Sequence, residues 1–183
     1  MNNNITAIIL AGGKSSRMKQ DKALVKINGK TLLNLQIETL TPIFQKIVIS
    51  ANTNYNTNFR IIKDINKDKG PIGGIYSVLQ NSETNKNFII AVDMPYITPE
   101  IINKLIDNSN NFDITIPIIK NKIEPTCAIY SKNCINIIEH QINVKNYKLT
   151  DFITKCNTNY VNFDTNELTF FKNINYPEDL LNI

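Results

Sequence analysis

The chain has 183 residues and a mass of 20.8 kDa, with 42% hydrophobic and 20% charged residues, so residues 1–183 are expected to form one soluble domain with its own core. Its 20 basic and 16 acidic side chains leave a net charge of +4, and His140 is the only histidine. A His-rich zinc site is thereby excluded, a Ser-His-Asp triad would have to use that one imidazole, and the chemistry must run on carboxylates, lysines, backbone amides and a hard metal.

In chain order, Asn2 to Asn4 read as a frayed terminus, and "ITAIIL" (5–10) as a buried strand. A Gly-rich loop follows. Asn28-Gly29 marks a tight turn, Thr31 a helix cap, and Leu33, Ile37 and Leu40 recur at helical spacing until Pro42. "KIVIS" (46–50) and "FRIIKD" (59–64) are strands, and after "KDKGPIGG" a helix carries Ile75, Val78 and Leu79 on one face. "NFIIAVD" (87–93) reads as a strand buried on both faces. Thr98-Pro99-Glu100 supplies a cap, a first-turn proline and a first-turn acid for the helix bearing Ile101, Ile102, Leu105 and Ile106. "DITIPII" and "TCAIY" continue as strands. Helices are expected near 134–141, where His140 is an ordinary helix-end residue, and near 150–156. "YVNF" is a last strand and "YPEDLLNI" a short closing helix. Alternation through the first two-thirds argues an α/β fold with a mostly parallel central sheet flanked by helices, and ligand chemistry at the carboxyl ends of its strands.

Three loops lie at such ends. "LAGGKSSRMKQDK" (10–22) gathers Lys14, Arg17, Lys19 and Lys22, which repel one another unless an anion sits among them. It is neither a Walker sequence nor a Gly-x-Gly-x-x-Gly turn. Gly12 and Gly13 would let backbone amides turn toward a ligand, with Arg17 and Lys22 on phosphate oxygens; the plainer reading is a solvated turn. In "KDINKDKGPIGGI", Gly70, Gly73 and Gly74 open a helix, and Asp64 is either a ligand for a ribose hydroxyl or base edge, or a turn residue. In "VDMPYITPE", Asp93 ends an apolar strand and needs a partner. Mg²⁺ with substrate phosphates would serve, as would a helix cap or a lysine.

With these loops in hand, the chain resembles the molybdenum cofactor guanylyltransferase family, nucleotidyltransferases with a Rossmann-like sheet. The resemblance runs over nearly the whole chain and rests on "LAGGKSSRM", "DKAL", "KGPIGGI", "VDMPYITPE", "EPTCAIY" and "FKNINYPEDL" in that order. It implies a backbone segment Leu10-Ala11-Gly12, with Gly13 beside it, against GTP. It also implies Lys22 and Arg17 on the triphosphate, Asp64 on the nucleotide, Asp93 on nucleotide and Mg²⁺ together, and Asn173 and Asn175 toward the pterin. The implied substrates are GTP and the molybdopterin-form cofactor. The implied reaction is attack by the terminal phosphate of molybdopterin on the α-phosphorus of GTP, with pyrophosphate leaving. A phosphate is already an anionic nucleophile, so no general base is required. Lys19 stands where relatives usually have Gly, and Thr31 where Pro is common. The pterin-side basic residue, usually Arg, falls near Lys148, and Ser50 and Asn52 both lie toward the base.

Competing readings are a cytidylyltransferase or other nucleotidyltransferase of the same fold, a non-catalytic nucleotide-binding delivery protein, and a nucleic-acid binder. Gly13 and "GPIGGI" favour guanine by resemblance. The basic residues cluster in a loop with no aromatic platform, which argues against nucleic acid. Apolar runs such as "FIIAV" fall far short of the ~20 residues a bilayer requires. The N-terminus lacks a basic segment and cleavage pattern. Cys127, Cys134 and Cys156 show no disulfide or metal spacing. A cytoplasmic protein is expected, its product passing to a molybdoenzyme or chaperone.

Overall fold

The computed structural model describes residues 1–12, 20–65 and 69–180. Strand β1, Asn2–Leu10, is buried on both faces from Ile5 to Ile9, as a central strand must be. It also absorbs the asparagine tract expected to fray. The Asn2 amide donates to the Ile43 carbonyl at 2.7 Å, and its side-chain oxygen accepts from the amides of Asn4 and Ile5 at 2.9 and 3.1 Å. These bonds hold a polar start in the sheet that periodicity alone does not register.

A 3₁₀ turn at Lys22–Leu24 leads into the hairpin of β2 (Lys26–Ile27) and β3 (Lys30–Thr31). Asn28 and Gly29 close it with φ of 49° and 82°, the left-handed pair that an Asn-Gly hairpin turn requires. The Thr31 hydroxyl then accepts from the Asn34 amide at 3.2 Å and caps α1, Leu32–Leu40. Next come β4 (Phe44–Ser50), β5 (Arg60–Ile62), α2 (Pro71–Asn81), β6 (Lys86–Ala91) and α3 (Pro99–Asp107). Thr98 sits at the cap position of α3 but makes no side-chain cap bond; its hydroxyl serves the Glu100 carboxylate instead. After β7 (Ile114–Ile119), the hairpin strand β8 (Lys122–Ile123) and β9 (Cys127–Ser131), the chain forms α4 (Ile135–Asn143), α5 (Leu149–Ile153) and β10 (Thr158–Phe163). The closing segment expected as a helix is a 3₁₀ turn, Pro177–Leu180, preceded by another at Thr165–Phe171.

The main sheet runs β10-β7-β9-β6-β1-β4-β5, with β8 on β7. Pairs β1–β4, β1–β6, β4–β5 and β7–β10 are parallel, while β9 runs against β6 and β7, and β8 against β7. Six strands thus share one direction. Side chains alternate across the sheet: Ile9, Ile49 and Ile90 pack toward Leu32, Leu40, Ile102 and Leu105, whereas Ile8 and Ile89 pack toward Ile72, Ile75, Leu79 and Ile138. Helices α1 and α3 cover one face, and α2 and α4 the other. The fold also joins two cysteines the sequence separates. Cys134, whose thiol donates to the Asp113 carbonyl at 3.6 Å, and Cys156 interact closely enough that the pKa of the first is raised and that of the second lowered.

Candidate active site

Beyond the strand ends, backbone bonds stitch the loops to one another. The Val92 amide donates to the Leu10 carbonyl at 3.0 Å, and the Ala51 amide to the Ile62 carbonyl at 3.0 Å. The Ser50 carbonyl accepts from both Ala11 and Gly12, at 2.9 and 3.0 Å. This corrects one expectation: the Gly12 amide is committed to Ser50 and not turned toward a ligand. What the segment Leu10-Ala11-Gly12 offers is close approach, with Gly12 exposed where a side chain would stand.

The 3₁₀ turn at Lys22–Leu24 aims one cation into the site. The Lys22 ammonium donates to Asp93 Oδ2 at 2.6 Å and to Asn175 Oδ1 at 2.7 Å, with the Lys22 and Asp93 side chains only 20% and 18% exposed. Screening there is weaker than at the surface, and a charge-assisted bond is correspondingly stronger. Asp93 is fixed from its backbone as well, its carbonyl accepting from the Ile174 amide at 2.8 Å. Asp179 holds the far side, one carboxylate oxygen accepting from the amides of Asn175 and Tyr176 at 2.8 and 2.9 Å, which lowers its pKa. Beside Asp93 lies Glu124. Burial pushes its carboxyl up, the Thr126 hydroxyl at 2.9 Å and the Thr126 amide oppose this, and the charge of Asp93 adds to the rise.

Asp64 forms a second centre. A Cβ placed on Gly74 would lie 3.5 Å from its Oδ1, and one on Gly12 would lie 3.9 Å from its Oδ2, so two glycines border this carboxylate. Asp64 Oδ1 is buried with no hydrogen-bond partner among the described residues. Burial raises its pKa, opposed in part by the Ser50 hydroxyl. Its loop is pinned through the Ile65 amide, which donates to the Ser77 hydroxyl of α2 at 2.8 Å. A buried carboxylate oxygen of this kind can accept a hydrogen bond from a bound molecule.

The structure therefore brings Leu10, Ala11, Gly12 and Asp64 together at one centre, and Lys22, Asp93 and Asn175 at the other. Asn173 lies on the same loop as Asn175, partly buried, with the fully buried Ile174 between them. Gly13, Lys14, Arg17 and Lys19 lie outside the described residues. Of the two residues placed toward the base, Ser50 is buried against Asp64 and Asn52 is exposed. Lys148 is exposed at the start of α5 and His140 at the end of α4. Sequence reasoning missed Asp21, Tyr55, Glu124 and Asp179. Only Asp21, in "DKAL", Glu124, in "EPTCAIY", and Asp179, in "YPEDL", stood within motifs that could have drawn notice.

Residues 7–158 match the model of the MobA-like NTP transferase domain. The chain is 37% identical to a protein of Natranaerobius thermophilus named "Probable molybdenum cofactor guanylyltransferase", over 98% of this chain and 95% of that one. It is 36% identical to a protein of the same name from Flavobacterium johnsoniae, covering 96% and 94%. Among solved structures, molybdopterin-guanine dinucleotide biosynthesis protein A from Archaeoglobus fulgidus superposes with a TM-score of 0.83 at 25% identity, covering 97% of this chain and 95% of that one. With a mostly parallel sheet and likeness along nearly its full length, the chain belongs to the MobA-like NTP transferase family, together with the molybdenum cofactor guanylyltransferases.

Proposed function

We propose that this protein transfers GMP from GTP to the molybdopterin-form molybdenum cofactor, giving the guanine dinucleotide cofactor and pyrophosphate. The observation that carries the reading is the bonded set Lys22–Asp93–Asn175, which joins three loops from distant parts of the sequence at one point. The relatives' names favour guanylyl over cytidylyl transfer and favour an enzyme over a delivery protein.

A terminal phosphate oxygen of the acceptor forms a bond to the α-phosphorus of GTP, the bond from that phosphorus to the bridging oxygen breaks, and pyrophosphate departs with the electron pair. Both substrates are polyanions, so the main work is positioning and charge stabilisation. Lys22 exchanges Asp93 and Asn175 for phosphate oxygens, and Arg17 is the second cation on the triphosphate. Leu10, Ala11 and Gly12, with Gly13, accept the nucleotide at close range. Asp64 accepts from donors on the base edge or ribose. Asn175, released from Lys22, and Asn173 face the acceptor.

Asp93 fits the role of the residue that would hold Mg²⁺. It is a partly exposed carboxylate at a strand end, with Glu124 near it, and Mg²⁺ commonly takes one or two carboxylates with phosphates and water. Among the described residues no group of three or more His, Cys, Asp or Glu is gathered, so substrate phosphates and water would have to supply the remaining ligands. When bound, the ion supplies neutralisation of phosphate charge and polarisation of the phosphoryl oxygens. In this reading residues 1–183 act as one cytoplasmic nucleotidyltransferase domain whose product passes to a molybdoenzyme or chaperone, and neither nucleic acid nor membrane takes part. Among the described residues no helix is long and apolar enough to cross a membrane.

The test is Asp93→Ala. Product formation with Mg²⁺ falls by at least about 10²-fold while the circular dichroism spectrum is retained, because one preorganised charge contributes about 3 kcal/mol to such a transition state. Turnover at the unsubstituted level would refute the assignment.

A further inference from the structure

Lys22 hangs on a turn of three residues, and a lysine side chain loses much rotamer freedom when it is held in one place. Its backbone is tied down by the residue before it. Asp21 Oδ1 accepts from the Ala23 amide at 3.0 Å, its carbonyl accepts from the Leu24 amide at 3.0 Å, and the Lys22 carbonyl accepts from the Val25 amide at 3.1 Å. The other Asp21 carboxylate oxygen is taken as well: the Tyr55 phenol donates to Oδ2 at 2.9 Å. Tyr55 comes from the connection between β4 and β5, its ring packs against the core under α1 and α3, and its oxygen lies 3.4 Å from the Ala11 carbonyl. One phenol thus touches the turn that carries Lys22 and the Leu10-Ala11-Gly12 segment, and anchors both to a rigid base.

We propose that Asp21 and Tyr55 are positioning residues that hold Lys22, and through it the triphosphate, in register with the nucleotide segment. The inference rests on the reading of Lys22 as a phosphate-binding residue. Without the phenol, Asp21 Oδ2 loses its donor and is free to turn with the Ala23 cap, so the Lys22 turn loosens. Burial together with the Asp21 charge raises the Tyr55 phenol well above the usual tyrosine range, so it remains a donor throughout neutral pH.

The test is a double-mutant cycle on the full chain, read by calorimetric titration with GTP and Mg²⁺ and by melting temperature. Tyr55→Phe weakens GTP binding about tenfold, Lys22→Ala about a hundredfold, and the double variant stays within about twofold of Lys22→Ala, because Tyr55 acts through Lys22. Unchanged affinity in Tyr55→Phe, with a fall in melting temperature alone, would leave a merely structural hydrogen bond and overturn the brace. Losses that multiply in the double variant would place Tyr55 apart from Lys22 and overturn it also. Undiminished affinity in Lys22→Ala would remove the phosphate reading itself, and the brace with it.

Discussion

Asp64 and Lys22 show how two charged side chains are kept ready by opposite means. Lys22 donates to Asp93 and Asn175, whereas Asp64 keeps Oδ1 buried beside Gly74 with no hydrogen-bond partner among the described residues. Burial raises the Asp64 pKa, which weighs against its ionised form relative to an ordinary carboxylate. If ionised Asp64 accepts donors from GTP, binding favours the carboxylate. Affinity then holds above the raised pKa and is lost as pH falls through it, at a higher pH than an ordinary carboxylate would give. The ratio of GTP affinities in wild type and Asp64→Asn, measured from pH 8 down to about pH 4, isolates this group from the titration of the nucleotide, since the amide does not titrate. A ratio independent of pH would show that Asp64 does not act as an ionised acceptor. At this scale the two loop carboxylates and Lys22 stood out in the sequence as candidates, and Asn175 only through the family resemblance. Tyr55 was not, because "TNYNTNF" is a polar run in which nothing marks one side chain as reaching another loop.

Helix α2 meets the Asp64 loop at its first turns. Gly70 opens it with φ of 65°, a left-handed conformation that favours glycine, whereas Gly74 needs no such conformation and owes its place to the space beside Asp64. Gly74→Ala would put a methyl 3.5 Å from Asp64 Oδ1 and 3.5 Å from Leu10 Cδ2, ordinary contacts that displace nothing in the protein. Alanine also gains about 0.5–1 kcal/mol over glycine in a helix. The variant should therefore melt a few degrees higher while binding GTP about tenfold more weakly, two opposed shifts that scanning calorimetry and titration read separately. A gain in stability with unchanged affinity would show that the space beside Asp64 is not used by the nucleotide. Local signals read the elements well where chemistry was local: Asn28-Gly29 gave its hairpin and Thr31 its cap. Strand direction is not local. Nothing within "TCAIY" records that β9 runs against β6, since that depends on the path of the chain after β7.

The whole molecule brings Lys22 to Asn175 across 153 positions of sequence, and the strand order of the sheet makes this possible. The late loop is fixed at two points, by the Ile174 amide on Asp93 and by Asp179 on the amides of Asn175 and Tyr176. Asp179→Ala removes the second point. It is expected to raise the KM for the molybdopterin substrate several-fold while changing the KM for GTP less than about twofold, because each lost charged hydrogen bond weakens only the acceptor loop. Equal effects on both substrates would mean that the loop serves the nucleotide as well. The global fold class was readable because buried strands alternate with amphipathic helices. The meeting of the late loop with Lys22 was not legible, since pairing over such a separation leaves no periodicity. The central claim is tested most directly by incubating the purified protein with Mg²⁺, the molybdopterin-form cofactor and equimolar GTP and CTP, and identifying the product. Guanine dinucleotide cofactor with stoichiometric pyrophosphate is the predicted result; cytosine dinucleotide, or no dinucleotide while GTP remains bound, would contradict it.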